Sequence, residues 1–173
     1  METNTAMVAN LPLPKRLLAL IDSGLWPRTS KEAMRQNIRS FVSKERVQVF
    51  APEEERIFLV SPPFSTVAAR MDKGDTFWSS FGALEQISPE LAVFLGDFGP
   101  GSDSPILLDY RLDVSAPVEI RLKLKSIRGE TMTNGRKKVI GWANVWLRCA
   151  DTFDEFADML GLEHGASSQP LIV

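Results

Sequence analysis

Three aspartates stand close together in a glycine-rich stretch that runs from Gly96 to Arg111 (GDFGPGSDSPILLDYR). The carboxylates of Asp97, Asp103 and Asp109 could bind a cation, or two of them could act as acid and base in sugar hydrolysis. Calcium-binding repeats of glycine and aspartate need several stacked copies, and this chain has one. The EF-hand, P-loop and dinucleotide-binding patterns are absent from the stretch.

A structural turn explains the same residues without any chemistry. Glycine reaches backbone conformations that other residues avoid, and aspartate and serine side chains accept hydrogen bonds from nearby backbone amides. We therefore predict no catalytic, cofactor-binding or metal-binding residue, and a structural role for Gly96, Asp97, Gly99, Gly101, Ser102, Asp103 and Asp109. Asp109 is expected to face solvent or a neighbouring backbone amide. A hydrolase that uses Asp97, Asp103 and Asp109 is the least favoured alternative.

Composition argues against several other kinds of site. The chain has 173 residues, a net charge of −2, one cysteine (Cys149) and one histidine (His164). These numbers leave no internal disulfide, no zinc site of histidines and cysteines, and no cysteine–histidine nucleophile pair. No apolar run approaches the roughly 20 residues that span a bilayer, and the amino terminus lacks the signal-peptide pattern. We expect a cytoplasmic protein with no cofactor and no membrane association.

Helices and strands in the first half are predicted from caps and apolar spacing. The spacing predicts a helix over Leu13–Ile21 that ends at Gly24, and a second helix from the capping box at Thr29–Glu32 to about Ser43. Val47–Phe50 and Arg56–Val60 have the composition of short strands. Phe64–Ser80 has no clean periodicity and is not assigned.

The second half contains the stronger strand signals. Ser88-Pro89 indicates a helix start, and Leu91–Leu95 fits either a brief helix or a buried strand. Ile106–Arg111 is predicted as a strand. Val118–Leu124 alternates apolar and charged residues, which is typical of a half-buried strand.

A turn and a final helix complete the predicted elements. Asn134-Gly135 is a tight-turn signal, so Val139–Leu147 is expected to pair back on Val118–Ile127 as a hairpin. The capping box Thr152–Glu155 begins a closing helix that ends at Gly161. This order lacks regular βαβ alternation and predicts one α+β domain over residues 1–173. We expect a mainly antiparallel sheet with the N-terminal helices and the C-terminal helix packed on one face, and loose tails at residues 1–10 and 163–173.

A basic segment is the most exposed candidate for binding. Seven basic residues fall within eighteen positions, and Glu130 is the only acid among them: Arg121, Lys123, Lys125, Arg128, Arg136, Lys137 and Lys138. Strand alternation puts the first three on one face, which could meet phosphate or an acidic protein, or could simply be a solvated face. No aromatic residue interleaves with these charges, so we do not expect nucleic acid. The candidate partner surface is Arg121, Lys123, Lys125, Trp142 and Trp146.

Three motifs, taken in order, resemble the SUKH superfamily, which includes bacterial toxin-immunity proteins and yeast regulators of cell-wall synthesis. They are the glycine-rich stretch after Ser88-Pro89-Glu90-Leu91, the strand Pro117–Leu124, and the closing WLRCADTFDEFADMLGL from Trp146. The resemblance covers about residues 85–162. This chain differs from the family pattern in the long basic link KSIRGETMTNGRKK between its last two motifs.

The resemblance implies a non-enzymatic α+β protein that binds another protein. The first hypothesis is an immunity protein that neutralises a cognate bacterial toxin or effector. The alternative is a cytoplasmic scaffold or regulatory protein of the same fold. The sequence leaves the oligomeric state open.

Overall fold

The boundaries of helices and strands are given by a computed structural model that describes residues 6–36, 42–99, 104–131 and 134–162. The helices are α1 (Lys15–Ser23), α2 (Ser30–Gln36), α3 (Lys44–Phe50), α4 (Val67–Asp72), α5 (Thr76–Phe81) and α6 (Phe153–Met159). The strands are β1 (Met7–Val8), β2 (Leu11–Pro12), β3 (Ile57–Leu59), β4 (Ser65–Thr66), β5 (Ala92–Phe98), β6 (Pro105–Asp109), β7 (Val118–Lys123), β8 (Ser126–Thr131), β9 (Lys137–Trp142) and β10 (Val145–Ala150). Two 3₁₀ turns, Leu84–Gln86 and Pro89–Leu91, precede β5.

The strands of the described part form one main sheet and two small ones. The main sheet has the order β10-β7-β6-β5-β3, with β4 also paired to β5, and every pairing in it is antiparallel. The pairs β1–β2 and β8–β9 stand apart from it. The predicted α+β class with a mainly antiparallel sheet is therefore confirmed.

Both faces of the main sheet are covered by helices. The N-terminal helices and α6 pack with Val93, Leu95 and Ile106 on one face, as predicted. The segment without clean periodicity covers the other face, where Trp78 of α5 packs with Phe94. Because both faces are buried, β5 and β6 are continuous apolar runs rather than alternating ones.

Two predictions in the first half are wrong or incomplete. Val47–Phe50 is not a strand but the end of α3, in which Val47 and Phe50 lie three residues apart and are both buried. A run of four residues is compatible with the apolar spacing of a helix and with that of a strand, so the pattern does not distinguish the two structures here. Phe64–Ser80 contains β4, α4 and α5, whose helices of six residues each are too short to show periodicity; they begin at side-chain caps from Thr66 and Asp75.

Helix ends that carried clear signals fall where predicted. Gly24 ends α1 with φ +77°, and the hydroxyl of Thr152 accepts a hydrogen bond from the Glu155 amide at the start of α6. Gly161 ends α6 with φ +72°, and the Leu162 amide donates to the Ala157 carbonyl, which completes a Schellman motif. Ser88, by contrast, makes no side-chain cap, and Ala92–Phe98 resolves the open alternative in favour of a strand.

Two glutamines occupy the outer edges of the main sheet. On β3, the side-chain amide of the buried Gln36 both donates to the Leu59 carbonyl and accepts from the Leu59 amide. On β10, the half-buried Gln86 accepts from the Trp146 amide and donates to the Asn144 carbonyl. Each glutamine makes two hydrogen bonds that a neighbouring strand would otherwise make.

One long hairpin begins in the main sheet and extends beyond it into solvent. Its turn is Asn134-Gly135, with Gly135 at φ +75°, and its arms share one register, with Val145 opposite Lys123 and Ser126 opposite Trp142. The predicted hairpin is thus correct in pairing, but it is broken into two ladders. We call β7 and β10 the root, and β8 and β9 the arm.

Within the described residues, no helix is both long enough and apolar enough to cross a bilayer.

Candidate functional site

The glycine-rich stretch is shorter as a loop than predicted, because Gly96 and Asp97 belong to β5. A Cβ atom at Gly96 would overlap the carbonyl oxygen of Phe58 on β3, so glycine is required for that close approach. Gly99 follows the strand at φ +97°, and a Cβ there would overlap the carboxylate of Glu54. The predicted loop residues Gly101, Ser102 and Asp103 lie outside the described residues.

The two described aspartates of this stretch are far apart. Asp97 lies opposite Pro105, and Asp109 lies four residues further along the same strand. At about 3.3 Å per residue this separates them by about 13 Å along the strand, beyond the roughly 9.5 Å of the widest glycosidase carboxyl pairs. Asp109 is buried and engaged by Arg111, whose guanidinium and backbone amide both donate to it at 2.7–3.2 Å. These two carboxylates therefore do not form an acid–base pair.

No cluster of three or more histidine, cysteine, aspartate or glutamate side chains that could hold a metal ion occurs in the part of the chain that the structure describes. Cys149 is half-buried on β10, and burial raises the pKa of its thiol to about 12. Such a thiol stays protonated at neutral pH, which does not suit a nucleophile.

The predicted stripe of Arg121, Lys123 and Lys125 does not form. Arg121 is only 3% exposed; its guanidinium donates to Glu53 at 2.8 Å and to the Ser104 hydroxyl at 3.2 Å. Lys123 and Lys125 are exposed. The alternation in β7 suggested a half-buried strand, but β7 is buried on both faces because α6 also packs on it.

Glu119 is the other charged residue of β7 that is buried, and sequence reasoning did not single it out. It is fully buried, and neither carboxylate oxygen has a hydrogen-bond partner among the described residues. Burial raises the pKa of this carboxyl well above its ordinary value. Burial, and after it the charge of the Glu119 carboxylate, raises the pKa of Tyr110 and of Cys149. Arg121 acts in the opposite direction on the pKa of Cys149.

The arm differs from the rest of the chain in exposure. None of its side chains that the structure describes is buried, and β9 is exposed at five of six positions. Among described residues, four of the eleven exposed large hydrophobic side chains lie on the arm, namely Ile127, Val139, Ile140 and Trp142, and two more, Val145 and Leu147, lie next to it on β10. An isolated two-stranded ribbon is marginally stable in water, so these side chains would gain from being covered.

The hairpin as a whole, root and arm together, concentrates positive charge. Residues 121–148 contain eight basic residues and one acid, a net charge of +7, whereas the whole chain carries −2. The remaining residues therefore carry −9. Apart from Arg121, these basic residues are exposed, which makes the arm a basic element on an acidic protein.

Aromatic and amide side chains fix the base of the arm to the body of the protein. The ring of Trp142, 45% exposed, meets Phe81 edge-on with centroids 5.3 Å apart. The Asn144 side chain donates to the Phe81 carbonyl at 2.8 Å and accepts from the Lys125 amide at 3.0 Å. Trp146 is half-buried, stacks on Trp78 and donates to the Gly82 carbonyl. Trp142 is thus a surface residue and Trp146 a supporting one.

A groove of about 450 Å³ runs beside this base. It is lined by residues of α5 and the following turn, including Phe81 and Leu84, and by Trp142, Ala143 and Asn144 of the hairpin. Its apolar and amide groups converge where the exposed arm begins. Sequence reasoning named Trp142 but not the aliphatic residues or this groove, because neither follows a regular spacing.

Comparison with protein-family models, curated proteins and solved structures finds no match for this chain, so the resemblance to the SUKH superfamily stays a prediction.

Proposed function

We propose that the chain is a non-enzymatic protein-binding module whose arm binds an acidic protein partner. The observation that carries the proposal is the coincidence, on one unpacked ribbon, of exposed apolar side chains with four basic residues and a single acid. Ile140, at 66% exposed, and Trp142 are the most exposed apolar residues of the arm, and Lys137 and Lys138 lie directly beside them in sequence. Interfaces combine such apolar anchors with charges that steer the partner.

A protein fits this surface better than a nucleic acid does. Exposed valine and isoleucine gain free energy only when they are buried against other apolar groups, which a phosphate backbone does not offer. Single-stranded nucleic acid is bound by aromatic platforms, and the arm carries one aromatic side chain, Trp142.

A pair of matched positions tests the proposal by photo-crosslinking in the native cell. Val139 lies on the arm and Val49 on α3, and both valines are exposed. A photoreactive residue at Val139 is expected to capture one acidic protein that the same residue at Val49 does not capture. Identical products at both positions, or a nucleic acid at Val139, would contradict the proposal.

The captured protein must then bind through charge. The affinity of the purified pair should fall at least about tenfold in the variant Lys137→Glu/Lys138→Glu and decrease with added salt. The matched control reverses two exposed lysines away from the arm, Lys31→Glu/Lys73→Glu, with the same change in net charge. Equal loss in both variants would mean that net charge, and not the arm, governs binding.

The resemblance to the SUKH superfamily supports a toxin or effector as this partner. An immunity role predicts that the captured protein stops growth when produced alone and that co-production of this chain restores it. A partner that is harmless alone supports the scaffold or regulatory alternative instead.

A further inference from the structure

The outer edge of β9 has no neighbouring strand in the part of the chain that the structure describes. Ala143, one residue beyond it, donates its amide inward to the Lys125 carbonyl at 2.8 Å. Backbone groups alternate along a strand, so the amide and carbonyl of Trp142 point outward, away from β8. Val139, Ile140 and Trp142 are β-branched or aromatic, the residue types that favour strands.

This edge is less protected than the other edges of the sheet. Gln36 makes both outward hydrogen bonds of Leu59 on β3. At the start of β10, Gln86 donates to the Asn144 carbonyl and accepts from the Trp146 amide. No side chain of the described residues donates to or accepts from the backbone of Trp142. An edge strand of this kind is a template for a strand from another chain.

Charge and apolarity are separated along β9. The basic residues Arg136, Lys137 and Lys138 lie at the turn end, and the apolar residues Val139, Ile140 and Trp142 lie toward the root. The groove beside Phe81 and Trp142 adjoins the apolar end. A strand laid along this edge would thus meet apolar surface at one end and positive charge at the other.

We infer that the partner binds by strand addition: an extended segment pairs with the outer edge of β9, with apolar residues toward the root and acidic residues toward the turn. This inference rests on the proposed function and specifies how the arm is used. Because β9 runs from the turn to the root, an antiparallel segment has its apolar residues first and its acidic residues last. Antiparallel pairing is slightly more stable per residue than parallel pairing.

The groove gives this segment an anchor. An apolar side chain from the amino-terminal half of the added strand would pack on the aromatic pair of Phe81 and Trp142, which forms one wall of the otherwise largely polar groove. Buried aromatic contacts of this kind carry much of the free energy of an interface. The acidic half would face Lys137 and Lys138 and determine the direction of binding.

The test uses the full chain and two synthetic peptides, with amide hydrogen exchange as the readout. One peptide alternates valine and threonine in its amino-terminal half and glutamate and threonine in its carboxyl-terminal half; the other has the two halves exchanged. The first peptide is expected to slow exchange of the Trp142 amide by at least about tenfold, and the second to have a smaller effect. The amide of Val49 on α3 is the internal control and should not change.

Several outcomes would overturn the inference while leaving the proposed function to the crosslinking test. Binding of the first peptide without slower exchange at Trp142 would show that the arm uses side chains alone. Absence of binding by both peptides, or tighter binding of a single-stranded oligonucleotide, would reject the acidic strand. Slow exchange at Trp142 that grows with protein concentration without peptide would identify a second copy of this chain as the occupant.

A backbone variant gives an independent readout. Trp142→Ala removes the side chain but keeps the outward amide, whereas Trp142→Pro removes both, and proline is tolerated at edge positions whose amide faces outward. Strand addition predicts that the proline variant binds the first peptide at least about tenfold more weakly than the alanine variant, with both variants folded by circular dichroism. Equal affinities would contradict it.

Discussion

The root and the arm are halves of one hairpin, yet β7 of the root is buried at five of six positions, whereas no described side chain of the arm is buried. In the root, β7 pairs with β6 on one side and β10 on the other, and helices cover it. In the arm, β8 and β9 pair with each other and with no other strand of the described residues. The change occurs between Lys123 and Ser126, where the pairing with β6 has ended. Neighbouring elements, and not the local pattern of residues, therefore decide which half belongs to the core.

This comparison assigns different tasks to similar residues. The guanidinium of Arg121 in the root is buried and hydrogen-bonded. Lys137 in the arm is exposed, and its ammonium group forms no ion pair with a described residue. Substitutions of buried residues in the root should lower the free energy of unfolding, and substitutions in the arm should change binding instead.

Loss of the buried guanidinium in the root is expected to have the largest effect. Arg121→Ala removes the hydrogen bonds to Glu53 and Ser104 and leaves a cavity, so the free energy of unfolding should fall by about 3 kcal/mol. Denaturant titration measures the change. Lys123→Ala, two residues along the same strand and exposed, is the control and should change it by less than about 0.5 kcal/mol. Equal effects would remove the distinction between the two sites.

The buried carboxyl of Glu119 makes the root sensitive to pH. Its folded-state pKa is raised by burial, so its contribution to stability is fully present below the ordinary value of 4.5 and is lost as pH rises toward the folded-state pKa. Within that window the free energy of unfolding should fall by about 1.4 kcal/mol per pH unit from this group. Glu119→Gln, which cannot ionise, should remove this part of the slope and stabilise the protein at neutral pH. A variant with an unchanged slope, measured by denaturant titration as pH rises above 4.5, would show that the carboxyl is not held protonated.

Arg121 and Glu119 also show which features of the structure could be predicted from the sequence and which could not. The class, the caps at Thr152 and Gly161, and the pairing around Asn134-Gly135 were predicted because each depends on local backbone chemistry. The burial of Arg121 and Glu119 was not, because it depends on contacts between residues far apart in sequence, such as those of α6 with β7 and of Glu53 with Arg121. The aliphatic surface of the arm was missed for the same reason: exposure there results from the absence of a covering element.

Charge reversal on the arm should have the smallest effect on stability. Lys137→Glu/Lys138→Glu changes exposed side chains, so the free energy of unfolding should stay within about 0.5 kcal/mol of the unmodified chain. Thermal and denaturant unfolding check this value. A large loss of stability would mean that the arm also contributes to the core. Root and arm would then differ only in how much each contributes to the free energy of unfolding.

Excision of the arm tests the division between root and arm most directly. Lys125 and Ala143 are joined by a hydrogen bond across the hairpin, so residues 126–142 can be replaced by a two-residue asparagine–glycine turn at that point. The account predicts a shortened chain that unfolds cooperatively, loses no more than about 1 kcal/mol of stability, and no longer binds the protein captured at Val139. A shortened chain that retains binding, or one that fails to fold, would contradict it.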